Sequence, residues 1–355
     1  MPSANTAGPA EPFAIAGRAI GAHRPPLVIA ELSGNHNASL DRALRLIDAA
    51  ADAGAEAVKL QTYTPDTITL DHDGPGFRIE GGLWDGRTLH DLYAEAQTPY
   101  AWHETLFAQA RARGLIVFSS PFDETAVDLL EQLEAPAFKI ASFEAVDLPL
   151  IRRAARSGKP LIVSTGMTNE AEIADALAAA GGPARTALLH CVSAYPARFA
   201  DANLRAIPML QARFGCPVGL SDHTPGTAAA VAAVALGACI IEKHFTLARA
   251  DGGPDAEFSL EPDELRRLVE DCRDAWEALG EPELRRGAVE SGNRQFRRSL
   301  YVVEDTPAGA ALTADNVRSI RPGFGLEPKR LPDVLGRPAA RDLKRGEPLA
   351  WEMVG

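Results

Sequence analysis

Short apolar runs alternate with longer amphipathic stretches between residue 27 and residue 280. Each short run has the length and the continuous apolar character of a buried strand. The pattern therefore predicts eight strands, over residues 27–31, 57–61, 116–119, 137–142, 161–164, 187–191, 218–221 and 240–243. The intervening stretches predict helices with one apolar face, over residues 39–53, 125–133, 170–179, 228–236 and 262–279. Ser39 and Asp263 resemble helix start signals.

Strands that are apolar on both faces and separated by helices are typical of a parallel sheet covered on both sides. Eight such repeats in about 250 residues match the size of a (β/α)8 TIM barrel, which is the predicted fold class. An open doubly wound sheet is the alternative, but no GxGxxG sequence follows the first strand.

The pattern changes after Gly280. Residues 1–280 are predicted to form the barrel domain with an N-terminal extension, and the charged stretch 281–298 to form a linker. Residues 299–355 contain short strand-like runs and many turn residues, which predict a small β-rich domain. A domain of this size is too small to hold a large reaction centre, but it could close over one.

Charge and cysteine usage narrow the functional classes. The net charge of -12 argues against nucleic acid and anionic membranes as partners. An anionic substrate must therefore be held by local cationic groups. The four cysteines form no CxxC pair, and the sequence has neither a signal-peptide pattern nor an apolar run of membrane-spanning length. We expect a cytoplasmic enzyme.

Polar residues follow almost every predicted strand, at the end where a parallel barrel opens. They include hydroxyls, a lysine, a carboxylate and two histidines: Glu31, Lys59, Gln61, Ser120, Ser142, Ser164, Ser193, Tyr195, Ser221, His223 and His244. A lysine with several hydroxyls suits a phosphate-bearing anion, because lysine supplies charge and hydroxyls complete the acceptor shell.

His223 and His244 end the seventh and eighth predicted strands. Neighbouring strands are roughly 5 Å apart, so both imidazoles could bind one divalent metal ion. Two imidazoles suit Mn, Fe, Co, Ni or Zn better than Mg. The alternative is that each is a hydrogen-bonded core histidine. His36, in the loop after the first strand, is a third and weaker candidate.

Lys59 lies on an apolar strand and is expected to point into the barrel mouth. Pairing with a phosphate or carboxylate is the favoured role, and a Schiff base is the alternative. Lys139 and Lys243 are rivals for either role.

Motifs along almost the whole chain, in order, resemble the sialic acid synthase family. They read IAELSGNHN (29–37), VKLQTYTPD (58–66), FSSPFD (118–123), FKIASFE (138–144), STGM (164–167), LLHCVSAYP (188–196), GLSDHT (219–224), IEKHFTL (241–247) and GGPDAEFSLEP (252–262). The C-terminal strings RRSLYV (297–302) and IRPGFGL (320–326) resemble that family's antifreeze-protein-like (SAF) domain.

The resemblance implies metal-dependent condensation of phosphoenolpyruvate with an amino-sugar aldehyde, with release of phosphate. The family's phosphoenolpyruvate-binding positions correspond here to Lys59, Ser120, Ser142, Ser164, Ser193 and Ser221. Ser120 replaces a usual threonine, and Ser193 replaces an asparagine of neuraminate synthases. The family's sugar-binding positions correspond to Glu31, Gln61, Tyr195 and Asp255. Its metal-binding positions correspond to His223 and His244, with Mn2+ as the expected ion and Mg2+ or Co2+ as alternatives. Arg321 matches an arginine that the small domain of a partner subunit delivers in a domain-swapped homodimer.

In the implied mechanism the metal ion polarises the aldehyde oxygen. Glu31 is the candidate acid and base, or else it only binds sugar hydroxyls. Lys59 neutralises phosphate or carboxylate.

Three segments, LSGNHN (32–37), QTYTPDTITL (61–70) and LWDGRTLHDLYAEAQTP (83–99), resemble the pseudaminic acid branch of the family, whose sugar is 2,4-diacetamido-2,4,6-trideoxy-L-altrose. The alternatives are a neuraminate or legionaminate synthase acting on an N-acetylmannosamine-type sugar and, more distantly, a Schiff-base pyruvate aldolase. A non-enzymatic ice- or carbohydrate-binding protein is disfavoured by the polar residues at the strand ends.

Overall fold

The computed structural model describes residues 13–284 and 287–355. The chain divides into two compact units after Gly280. The first unit contains a closed barrel of eight parallel strands, which confirms the TIM-barrel prediction and excludes the open sheet. No helix in the described ranges is long and apolar enough to cross a membrane.

An antiparallel hairpin, β1 (Phe13–Ile15) and β2 (Arg18–Ile20), precedes the barrel. The barrel strands follow as β3 (Leu27–Glu31), β4 (Ala57–Thr62), β5 (Ile116–Pro121), β6 (Phe138–Ile140), β7 (Leu161–Ser164), β8 (Thr186–Cys191), β9 (Val218–Asp222) and β10 (Ile240–His244). Each strand pairs with its neighbours in chain order, and β10 pairs with β3 to close the barrel.

The helices of the first unit are α1 (Leu40–Asp52), α2 (Pro65–Ile68), α3 (Leu89–Ala96), α4 (His103–Ala112), α5 (Glu124–Gln132), α6 (Leu148–Ala155), α7 (Glu170–Ala179), α8 (Ala206–Phe214), α9 (Ala228–Ala235) and α10 (Pro262–Leu279). Ser39 caps α1 as predicted, because its side chain accepts a hydrogen bond from the Arg42 amide. Asp263 lies in the first turn of α10, where an acidic side chain marks a helix start, and Glu261 is the N-cap residue.

Apolar residues form two layers around the barrel wall. The outer layer lies between strands and helices, and the inner layer fills the barrel interior with residues such as Leu27, Ile29 and Ile240. Ile15 and Ile20 of the hairpin join the inner layer. The hairpin therefore covers the amino-terminal end of the barrel, and the polar mouth lies at the other end.

The second unit has its own apolar core around Leu300, Val302, Val317 and Leu349. Its strands, β11 (Ser299–Val302) and β12 (Val317–Ile320), pair antiparallel. Short helices α11 (Ala288–Ser291) and α12 (Leu331–Val334) complete it. The predicted linker thus contains a helical turn in its described part.

Candidate active site

Side chains alternate between two faces along a strand, and this alternation selects which polar residues enter the barrel mouth. On β3, Leu27 and Ile29 pack inside the barrel, so Glu31 points to the same side. On β10, Ile240 points inward, and Glu242 and His244 follow on that face. A cavity of about 560 Å³ opens there. Predicted site residues that line it are Lys59, Gln61, Ser142, Ser164, Ser193, Tyr195, Ser221, His223, His244 and Asp255.

Two buried lysines and two buried carboxylates form an ionic network at the base of this cavity. Lys59 is paired with Glu31, and its Nζ also lies 3.6 Å from Glu242 Oε1. Lys139 Nζ lies 3.4 Å from the same Glu242 oxygen. Glu31 and Ser120 do not line the cavity but lie against Lys59, whose Nζ donates to Ser120 Oγ at 3.3 Å.

Within this network, Glu242 and Lys59 favour their charged forms, whereas Glu31 can take up a proton. Burial raises the pKa of Glu31 to about 7, although Lys59 opposes the shift. Burial would also raise the pKa of Glu242, but Lys139 and Lys59 outweigh it and the pKa falls. Burial disfavours charge on Lys59, but Glu242 and Glu31 raise its pKa overall. Lys59 is therefore a fixed cation, and Glu31 can exchange a proton near neutral pH.

Hydroxyl groups form the next part of the cavity wall. Ser142 Oγ and Ser193 Oγ are hydrogen-bonded at 2.8 Å. Ser164 Oγ is buried and has no hydrogen-bond partner among the residues that the structure describes, so it can serve a ligand. Gly166 packs against the serine pair so closely that a Cβ there would lie 2.5 Å from Ser142 Cβ.

His223 and His244 meet at the mouth with ring centroids 5.5 Å apart. His223 Nδ1 is 2.8 Å from the Val192 carbonyl oxygen and His244 Nδ1 is 3.2 Å from Ser33 Oγ. Burial lowers both pKa values, that of His223 to about 4. For His223, the carbonyl partner requires that Nδ1 carry the proton, which leaves Nε2 as a free ligand atom.

This donor set fits a divalent metal ion that has two imidazole ligands and further ligands from outside the protein. Within residues 13–284 and 287–355, no cluster of three or more His, Cys, Asp or Glu side chains is arranged to hold a metal ion.

Two other candidates are excluded by their geometry. Both ring nitrogens of His36 are engaged, by the Ala38 amide at 3.1 Å and Thr98 Oγ1 at 3.4 Å, so it is a core histidine. Lys243 points away from the mouth and is buried against Asp222, which removes it as a rival to Lys59. Side chains alternate between the two faces of β10, so Lys243, which lies between the inward-pointing Glu242 and His244, points outward.

The predicted sugar residues lie toward the rim. Gln61 Nε2 donates to Glu31 Oε1 at 3.1 Å. The Tyr195 ring lies 4.3 Å from the His223 ring, and Asp255 accepts weakly from the Gly34 amide at 3.5 Å. Burial raises the pKa of Asp255. Arg321 lies in the second unit, exposed just after β12.

Sequence reasoning named Lys139 only as a rival to Lys59 and did not assign Glu242, Glu144 or Tyr63 to the site, although all four line the cavity. Alternation along β10 could have found Glu242, two residues before His244. Glu144 follows β6 in a loop, and burial raises its pKa to about 7. Its Oε2 is buried without a hydrogen-bond partner. Only folding reveals that this loop residue reaches the cavity.

The closed barrel and its cationic, hydroxyl-rich mouth define a (β/α)8-barrel enzyme. The chain belongs to the NeuB family, whose model matches residues 46–283, and a SAF domain model matches residues 297–355. These matches confirm the resemblance drawn from the motifs.

Named relatives refine this assignment. A pseudaminic acid synthase of Campylobacter jejuni is 46% identical over 91% of this chain and 94% of that protein. The N,N'-diacetyllegionaminic acid synthase of the same organism is 37% identical over 90% of this chain and 98% of that protein. A crystal structure of a Leptospira borgpetersenii N-acetylneuraminic acid synthetase is 34% identical and covers 80% of this chain and 95% of its own, with a TM-score of 0.72.

Proposed function

We propose that this enzyme condenses phosphoenolpyruvate with 2,4-diacetamido-2,4,6-trideoxy-L-altrose and water, giving pseudaminic acid and phosphate. The observation that carries the proposal is a single cavity in which buried lysines, hydroxyls and paired histidines converge. The greater similarity to a pseudaminic than to a legionaminic acid synthase supports this sugar.

Phosphoenolpyruvate binds at the base of the cavity in this proposal. Lys59 supplies a permanent positive charge, and Lys139 lies beside it across Glu242. Ser142, Ser164, Ser193 and Ser221 line the cavity and surround the anion with hydroxyl groups. Ser120 does not line it and contributes by accepting a hydrogen bond from Lys59 Nζ. The unpartnered Ser164 Oγ supports this placement, since a buried hydroxyl without a partner is costly unless a ligand satisfies it.

The sugar aldehyde lies nearer the rim, against Gln61, Tyr195 and Asp255. Glu31 is the proposed acid and base, because a carboxyl group with a pKa of about 7 can hold and release a proton at neutral pH. Glu31 accepts a hydrogen bond from the side-chain amide of Gln61, which lies between it and the cavity. The alternative role for Glu31 is to bind sugar hydroxyls without proton transfer.

His223 and His244 are the proposed metal ligands, with Mn2+ as the expected ion and Mg2+ or Co2+ as alternatives. When bound, such an ion supplies Lewis-acid polarisation of the aldehyde oxygen. The two residues contribute neutral imidazoles, because burial lowers their pKa values. The aromatic side chains of Tyr195 and Phe258 surround the pair and limit the access of water.

We further propose a homodimer in which Arg321 of one copy completes the sugar site of the other. No arginine occurs among the described residues that line the cavity, so a guanidinium group for the sugar site would come from outside that lining. The four cysteines are free, which fits a reducing cytoplasm as the compartment.

The test is phosphate release from phosphoenolpyruvate with a panel of 2-acetamido and 2,4-diacetamido hexoses. We expect the highest kcat/KM with the trideoxy-altrose sugar. A clear preference for N-acetylmannosamine would instead place the enzyme in the neuraminate branch. Borohydride treatment with pyruvate should give no reduced adduct on Lys59, because its raised pKa keeps the amine protonated. A trapped adduct would favour the aldolase alternative.

A further inference from the structure

The outer part of the cavity is chemically different from its base. Four apolar side chains from the segment after β4 line it, and we call them the outer wall: Ile79, Leu83, Trp84 and Leu89. The lysines and serines lie at the strand ends, whereas the outer wall belongs to loop 69–88 and the first residue of α3. The cavity therefore has a polar base, and one side of its rim is apolar.

The outer wall is held in place by hydrogen bonds. The Ile79 amide donates to the Arg87 carbonyl at 2.8 Å, and the Gly86 amide donates to the Ile79 carbonyl at 2.9 Å. Trp84 Nε1 donates to the Pro254 carbonyl at 2.8 Å, and its ring lies 5.8 Å from that of Tyr195. The first two bonds hold the loop together, and the Trp84 bond attaches it to the Pro254 segment.

The outer wall is not fully covered by the protein. Leu83 is 39% exposed although it lines the cavity. Ile79, Trp84 and Leu89 are half-buried. Apolar surface that faces a cavity is stabilised when a ligand places apolar groups against it.

The outer wall also offers little to a hydroxyl group. The indole N–H of Trp84 is its one side-chain hydrogen-bonding group, and Pro254 already accepts that bond. A sugar hydroxyl placed against Ile79 or Leu83 would lose water without gaining a partner from the wall. Desolvation of an unpaired hydroxyl is unfavourable.

From these observations we propose that the outer wall determines sugar specificity by receiving the C6 methyl group of a 6-deoxy sugar. The inference rests on the proposed function, because it concerns which sugar that site accepts. It adds a chemical reason for the choice, namely that the wall accepts a methyl group and disfavours a hydroxymethyl group. A hydrophobic pocket discriminates against an added hydroxyl by up to about 100-fold.

The experiment compares two sugars that differ only at C6, 2,4-diacetamido-2,4,6-trideoxy-L-altrose and its 6-hydroxy counterpart. The ratio of their kcat/KM values should favour the 6-deoxy sugar by about tenfold to 100-fold in the unaltered protein. Leu83→Asn places an amide on the wall and should reduce the ratio at least fivefold. The reduction should come mainly from a lower kcat/KM for the 6-deoxy sugar. Ile79→Thr, which keeps the branched shape, should act in the same direction.

Leu70→Asn is the matched control. Leu70 belongs to the same loop and is 64% exposed, but it does not line the cavity, so the ratio should stay unchanged. The KM for phosphoenolpyruvate should be unaltered in all three variants, which verifies that each folds. If the 6-deoxy sugar is used but the ratio is near one, or does not respond to Leu83→Asn, the inference is wrong and the proposed function stands. If neither altrose sugar reacts, the proposed function itself fails and the inference fails with it.

Discussion

Gly166 provides a sharp test of the serine cluster, because its substitution by alanine adds one carbon atom at a defined place. The new Cβ would lie 2.5 Å from Ser142 Cβ and 2.9 Å from Ser193 Oγ. Carbon atoms in contact are normally about 3.5–4.0 Å apart. One of the two serines, or the loop after β7, must therefore move by about 1 Å.

The expected loss in the free energy of unfolding of Gly166→Ala has two contributions. Gly166 has φ +48°, and alanine in this left-handed region costs about 1–2 kcal/mol. Overpacking adds about 1–3 kcal/mol. The free energy of unfolding should therefore fall by about 2–5 kcal/mol. Displacement of a positioning group by about 1 Å can reduce activity about 100-fold, so a comparable loss in kcat/KM for phosphoenolpyruvate is expected.

Gly158→Ala is the matched control for this substitution. Gly158 has φ +73°, but the nearest atom to an added Cβ is Arg185 Nη1 at 3.8 Å. It should show the backbone cost of about 1–2 kcal/mol in urea unfolding and leave kcat/KM in the phosphate-release assay unchanged. The reasoning is refuted if Gly166→Ala and Gly158→Ala behave alike toward phosphoenolpyruvate.

The remaining predictions concern the metal site, the dimer and pH. Chelation should abolish activity and Mn2+ should restore it, and His244→Ala should weaken Mn2+ binding in a titration by at least tenfold; unchanged binding would remove His244 as a ligand. Mixed inactive Arg321→Ala and Lys59→Ala proteins should regain activity in heterodimers, whereas inactive heterodimers would exclude the swapped arrangement. Burial lowers the pKa of His36 from 6.5 to about 4, so the unfolded chain binds its proton first on acidification. The free energy of unfolding should therefore fall between pH 6.5 and pH 4, by up to about 3 kcal/mol from this residue. In His36→Asn, the free energy measured by urea unfolding should depend less steeply on pH.

The barrel could be predicted from sequence because its signal is local and repeated. Strands buried on both faces are continuous apolar runs, and β3 and β7 begin and end at the predicted residues. Helices with a regular apolar face, such as α7 and α10, were predicted with the same accuracy. Short or weakly periodic elements were not identified, among them the β1–β2 hairpin and α3, because a few residues carry too little periodicity.

The sequence also determined which strand ends carry chemistry, since polar residues there interrupt an otherwise apolar pattern. It could not decide between Lys59, Lys139 and Lys243, because all three lie on apolar strands. Tertiary structure excluded Lys243. Strand register places Lys59 and Lys139 inside the barrel around Glu242, and it places Lys243 outside against Asp222.

Tertiary structure likewise separated the histidines. His36 follows the polar end of β3 and His244 ends β10. Packing gives both ring nitrogens of His36 a partner, whereas the described residues give a hydrogen-bond partner to Nδ1 of His244 and not to its Nε2. Glu144 and the outer wall come from loops, whose sequences carry no period that predicts where they fold. The sequence determines which faces are buried through local periodicity, whereas side chains from distant segments become neighbours only when the barrel closes.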